Sequence, residues 1–248
     1  MILNKARFYN ITYNLTFDVH ERFNIGTYKE KTLHLALKRY FEESDDYHEV
    51  PTNGFIADVR RDNEITEIET LGFSGLVPKL SAYLPEYKVN LVHPLAAKKY
   101  VSWIDPGTRE ISQRRISPKK ETVYDGLYEL VRILPHIKNE NLNVVFLLLE
   151  MDEYKLLDGW SRDKKRGAHR FERIPTDVFE LIEINSDEDY IKYIPDSCVR
   201  DFTVKDFARG AKIDTGVARA VVKVMEARGV IEKIGKSGRS FIYSRAGI

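Results

Sequence analysis

The segment GFIADVRRDNEITEIET, residues 54–70, alternates apolar and polar side chains on either side of Asp62-Asn63. Period-two alternation marks strands with one buried face, and Asp and Asn tolerate the positive φ of a two-residue turn. The segment therefore predicts a hairpin in which Arg61 opposes Glu64, Val59 opposes Thr66 and Asp58 opposes Glu67. Glu69 lies two residues further along the same face. Opposed Cβ atoms stand about 4.5–5.5 Å apart. Two carboxylates at that spacing repel, so one must hold a proton or a cation must lie between them. A hard, oxygen-seeking cation such as Mg²⁺ meets that need. The alternative is an exposed face on which Arg60 and Arg61 neutralise the acids.

Net charge is only +1 over 248 residues and by itself names no partner, but it is unevenly spread. Residues 203–245 hold ten Lys/Arg against four acids, so the remainder is acidic. A basic C-terminal module is the place to expect nucleic acid. The single cysteine, Cys198, excludes an internal disulfide framework and fits a buried thiol. The segment MILNKARFYN lacks the apolar run of a signal peptide, and VVFLLL at 144–149 is too short to span a bilayer. These features predict a cytoplasmic chain with no membrane partner.

Along the chain, TYKEKTLHLALKRYFEE predicts an amphipathic helix with a capping box from Thr27 to Glu30. HEVPT predicts a weak strand, and FSGLVPKLSAYL a helix with Ser74 as N-cap and Pro78 in the first turn. KVNLVHPLA reads as a strand ended by proline, followed by a second hairpin turning at Pro106-Gly107. ETVYDGLYELVRIL predicts a helix and NLNVVFLLLEM a fully buried strand. Residues 158–173 are charged and aperiodic, the composition of a surface loop, and TDVFELIEI fits a short strand or a helix. The order predicts a mixed α/β domain over 1–175 and a linker plus small domain over 176–248.

The last segment reads as a short helix, a turn, a helix over about 215–228 stopped by Gly229, and two strands around GKSG. Val217, Val221, Val224 and Met225 form the buried stripe of the second helix, while Arg219 and Lys223 face outward. This arrangement resembles a winged helix-turn-helix domain. The resemblance implies a recognition helix in the DNA major groove and a wing on the backbone. Lys212, Thr215, Arg219, Lys223, Lys236 and Arg239 are the DNA-binding candidates it implies. A winged helix used for protein contacts is the alternative.

The order of the first domain, a helix with a glutamate, a strand with Asp58, a strand with Glu67-Ile68-Glu69, then a helix and a strand, resembles the PD-(D/E)xK nuclease superfamily. The resemblance covers about Thr27 to His93. It implies a restriction endonuclease-like mixed sheet flanked by helices and metal-dependent phosphodiester hydrolysis, with Mg²⁺ or Mn²⁺ as cofactor. Carried over by position, Asp58 and Glu67 coordinate the metal with the Ile68 carbonyl. Glu69 stands where a lysine is usual, as a base or a ligand of a second metal, and Lys79 on the next helix is another source of that lysine. Glu30 and His34 on the first helix would support the metal or phosphate. Gln113, Arg114, Arg115, Lys119, Lys120 and the 162–170 loop are candidate DNA approaches. The expected function is a metal-dependent DNA endonuclease, with a homodimer compatible with double-strand cleavage. The alternative is an inactive nuclease-like DNA-binding regulator. No GxxxxGK[ST], HExxH, paired CxxC or GxSxG occurs to suggest nucleotide, zinc or serine-triad chemistry.

Overall fold

The computed structural model describes residues 1–22, 31–159 and 167–247. Its elements are α1 (Lys5–Arg22), α2 (Thr32–Phe41), β1 (His48–Thr52), β2 (Phe55–Arg61), β3 (Glu64–Ile68), α3 (Leu76–Tyr83), β4 (Lys88–Ile104) and β5 (Arg115–Ile116). There follow α4 (Val123–Glu129), β6 (Leu142–Leu156), β7 (His169–Ile184), α5 (Asp187–Ile191), α6 (Val204–Ala211), α7 (Thr215–Arg228), β8 (Ile231–Ser237) and β9 (Ser240–Arg245). The chain is mixed α/β. Seven strands form a sheet in the order β1-β2-β3-β4-β6-β7, with β5 on β4, and β8 pairs β9 separately. The sheet is mixed, because β2 and β3 run antiparallel whereas β3 and β4 run parallel. Among the described residues, no helix is long and apolar enough to cross a membrane.

The residues fall into two compact units. The first comprises 1–48, 94–121 and 147–181, and the second 49–93, 122–146 and 182–248. The expected boundary at 175–176 falls inside β7, and no single cut in sequence separates the units.

In the first unit, α1 buries Phe8, Thr12 and Leu15, a helical spacing whose signal the sequence reading passed over. Phe8 meets Tyr40 of α2 edge to face at 5.5 Å. The capping box at Thr27 and Glu30 lies outside the described residues. Two expectations for this unit change. Pro94 does not end its strand, for β4 runs on to Ile104. Its ladder with β3 stops at Ile68–Val92, so the N–H that proline lacks falls beyond that pairing. Residues 169–173 belong to β7 rather than a loop, and the stretch TDVFELIEI continues the same strand. Their charges are absorbed by pairing, as where Arg170 Nε meets the buried Glu153 at 3.3 Å.

In the second unit, β1 joins β2 through Asn53-Gly54, both at positive φ (47° and 83°), the turn chemistry that Asn-Gly favours. The β2–β3 hairpin turns at Asp62 (φ 52°) with the expected register, pairing Arg61 with Glu64, Arg60 with Ile65 and Val59 with Thr66. Residues Ile65 to Ile68 are all buried, as a strand with neighbours on both edges requires. Helix α3 starts after Gly75, which holds φ 87°, so Gly75 and not Ser74 is the N-cap. Helix α4 opens on a capping box between Thr122 and Asp125. A Cβ on Gly126 would stand 2.6 Å from the Phe146 ring. Gly126→Val is therefore expected to cost about 1–3 kcal/mol by forcing that ring aside, read as a lower melting temperature in scanning calorimetry.

The C-terminal part of this unit follows the expected order. Thr203 and Asp206 cap α6 reciprocally, Asp214 caps α7 through Gly216 N at 2.6 Å, and Gly229 (φ 94°) ends it. Helix α7 buries Ala218, Val221, Val222, Val224 and Met225, with Val217 only half-buried. The hairpin turns at Gly238-Arg239, two residues later than the centre of GKSG suggests. Phe202 bridges to Tyr243 and stacks on it at 5.9 Å, tying the hairpin to the helices.

Candidate functional site

Where the β2–β3 ladder leaves Val59–Thr66, side chains replace backbone pairing. Asp58 Oδ2 accepts the Ile68 N–H at 2.7 Å. Glu67, on the other strand, is completely buried. Helix α3 follows the strand closely enough to return Lys79, whose Nζ donates to Glu67 Oε2 at 2.5 Å. The other oxygen, Glu67 Oε1, is buried and has no hydrogen-bond partner among the described residues. Burial first, and then the Asp58 charge, push the Glu67 carboxyl up to about 8, against the opposing pull of Lys79. The Asp58 charge thus acts on Glu67 in the upward direction, and the lysine of the next helix bonds the same carboxyl.

Tyr83 adds a second buried polar atom. It lies one helical turn beyond Lys79, whose Nζ stands 5.9 Å from its ring centre, and its edge packs on Phe55 of β2 at 6.2 Å. Its hydroxyl also lacks a hydrogen-bond partner among the described residues. Burial, then the charges of Glu67 and Asp58, raise the phenol above its ordinary range. The sequence reading omitted Tyr83, although its i,i+4 spacing from Lys79 was the available signal. His93 was also passed over: its Nδ1 lies 2.5 Å from the Glu69 carbonyl oxygen, and its ring meets Phe73 edge to face at 5.1 Å.

The other expected site residues are less gathered. Glu69 sits just past β3, half-buried, with its N–H donated to the Val92 carbonyl. Among the described residues, no group of three or more His, Cys, Asp or Glu side chains is arranged to hold a metal ion. The fold sets Glu69 one residue beyond the end of the strand that holds Glu67. What it builds is the Asp58–Glu67 pair with Lys79. This pair fits a divalent cation in one respect, since a buried carboxylate oxygen stands without a partner beside a second carboxylate. Asp58 and Glu67 are the residues that would hold it, with Ile68 beside them at the strand end. Glu30 lies outside the described residues, and His34, half-buried on α2, belongs to the first unit.

The basic candidates divide likewise. Thr215, Arg219, Lys223 and Arg239 line one cleft of about 460 Å³ together with Lys205 and Lys233. Its one acid, Glu226, pairs Lys233 at 2.8 Å. Lys212 caps α6 with φ 57° and Lys236 rests over the Phe241 ring at 4.7 Å, both outside the cleft lining. Of the approach residues expected in the first unit, Arg114 is occupied, bonding Asp152 at 2.7 Å and lying 3.3 Å over Tyr100. Gln113, Arg115, Lys119 and Lys120 are exposed. Of the 162–170 loop, residues 162–166 lie outside the described residues.

Residues 31–185 match the family model described as "Domain of unknown function (DUF8091)". A protein of Treponema pallidum (strain Nichols), named "Uncharacterized protein", is 26% identical over 234 residues, spanning 89% of this chain and 87% of its own. No solved structure matches the chain. The family match contains Asp58, Glu67, Lys79 and Tyr83 and ends before α6. Since that match takes in more than half of the residues, the protein belongs to the DUF8091 family.

Proposed function

We propose that the protein is a divalent-metal-dependent DNA endonuclease of PD-(D/E)xK character, held on DNA by a C-terminal winged helix. The observation that carries this reading is the meeting of Lys79 with Glu67 beside Asp58, with the second Glu67 oxygen unpaired. An aspartate, a glutamate and a lysine are the group types that hydrolysis of this class uses, and here α3 supplies the lysine that Glu69 displaces from the strand. A bound cation would supply charge neutralisation at the phosphate and a more acidic water. Asp58 and Glu67 hold their carboxylates on adjacent strands of a sheet, where little can shift them. Lys79, which bonds Glu67, would be the residue to orient a water or a phosphate oxygen. The cleft lined by Lys205, Arg219, Lys223, Lys233 and Arg239 supports DNA binding, since phosphate neutralisation supplies much of duplex affinity.

A second reading is a DNA-binding regulator with an inactive nuclease-like domain. It is favoured by Glu69 at the position where the nuclease motif carries lysine. In that case Lys79 stays bonded to Glu67 and serves the fold alone. Incubation of supercoiled and branched DNA with the full chain in Mg²⁺ or Mn²⁺, against a chelator control, separates the two. Cleavage in metal that stops on chelation is expected. Tight, salt-sensitive binding with no cleavage under any metal would establish the regulator instead.

A further inference from the structure

Helix α3 carries Lys79 and Tyr83 one turn apart on a common face. Lys79 is bonded to Glu67, but Tyr83 ends in a hydroxyl with no hydrogen-bond partner among the described residues, on a fully buried side chain. Glu67 presents a second such atom, Oε1, also on a fully buried side chain. A buried polar atom left unpaired costs about 1–3 kcal/mol. Folded chains keep few of them, and two with overlapping surroundings call for a common occupant. Both side chains meet the same ammonium, for Lys79 Nζ bonds Glu67 Oε2 at 2.5 Å and stands 5.9 Å from the Tyr83 ring centre. An apolar guest would leave both oxygens unpaired. A second anion would add to a site already holding two carboxylates. A hydrated divalent cation satisfies all three groups, because it binds carboxylate oxygen directly and presents its waters to a hydroxyl.

We propose that Tyr83 is a positioning residue of the site, its hydroxyl and Glu67 Oε1 forming the enclosed end of a seat for a hydrated divalent cation. This rests on the metal-dependent reading above and adds to it a residue that neither the acidic motif nor the Glu69 position suggests.

The test is Mn²⁺ binding by calorimetry to the full-length chain as wild type, Tyr83→Phe and Glu67→Gln, with melting of each in chelator. Tyr83→Phe is expected to melt at or above the wild-type temperature without metal, because it deletes an unmade hydrogen bond. It is also expected to bind Mn²⁺ about tenfold more weakly, the loss of one hydrogen bond to a charged centre. A merely structural tyrosine gives the opposite pair of results. Unchanged Mn²⁺ affinity in Tyr83→Phe, with wild-type binding intact and Glu67→Gln impaired, would overturn the role of Tyr83 and leave the cation reading standing. A lower melting temperature of Tyr83→Phe in chelator would also overturn it, since the hydroxyl would then hold a structural water in the metal-free fold. Absence of Mn²⁺ binding by the wild type, or equal binding by Glu67→Gln, would remove the cation reading and this inference together.

Discussion

Asp58→Ala is expected to abolish the proposed metal-dependent DNA cleavage, by at least about 10²–10³-fold, the scale on which removal of one preorganised charge-stabilising group acts. The chain should remain folded. Asp58 has two tasks, as the second carboxylate beside Glu67 and as acceptor of the Ile68 N–H. Losing the acceptor strands a backbone donor and costs about 1–3 kcal/mol. Losing the charge removes the second-largest influence holding the Glu67 carboxyl up, which offsets part of that cost. Asp58→Asn separates the tasks: it retains an acceptor for Ile68 and lacks the charge, so it should lose cleavage equally while melting closer to wild type. Plasmid nicking and circular dichroism melts read the two effects. Cleavage that survives in both variants would refute the assignment of Asp58.

The second large effect is the pH dependence of the metal-free chain. Glu67 titrates at about 8 in the folded state against an ordinary carboxyl value of 4.5. Below pH 4.5 both folded and unfolded chains hold the proton, and the group leaves stability untouched. Between 4.5 and 8 the unfolded chain releases its proton while the folded one keeps it, so stability falls as pH rises, by up to about 1.4 kcal/mol per pH unit. Above 8 the folded chain ionises too and the loss stops growing. Carboxyls with the opposite shift, such as Asp189, held down to about 2 by Lys192 and the Ser186 cap despite some burial, act only at the acid end. Urea unfolding from pH 4.5 to 8 in chelator should therefore show a decline that Glu67→Gln flattens. On the proposed metal-dependent reading, saturating Mg²⁺ should also reduce it, because a cation held by the ionised carboxylate would stabilise the folded state. A wild-type profile parallel to that of Glu67→Gln would contradict the buried, proton-holding state of this side chain.

Much of the second unit was legible from local rules. The hairpin register followed from period-two alternation and from a turn residue able to take positive φ, both properties of a few adjacent residues. Capping at Thr203 and Asp206, the stop at Gly229 and the apolar stripe of α7 follow from the same short-range chemistry. Failures came where the deciding partner was distant. Pro94 passes inside β4 because β3 ends opposite Val92, and the charged start of β7 holds as a strand because Glu153 on β6 receives Arg170. Neither condition is written near the residue it governs.

The sequence by itself determined the hairpin register that pairs Arg61 with Glu64 and Val59 with Thr66, since strand period and turn length leave one register that buries the apolar face. Only the tertiary structure decided which side chain bonds Glu67. Glu69 lies just past β3, whereas Lys79 reaches the buried Glu67 from α3, the next helix along the chain. Burial sets the charge state of that carboxylate and leaves its second oxygen unpaired, and burial arises from the packing of segments that local pattern cannot place.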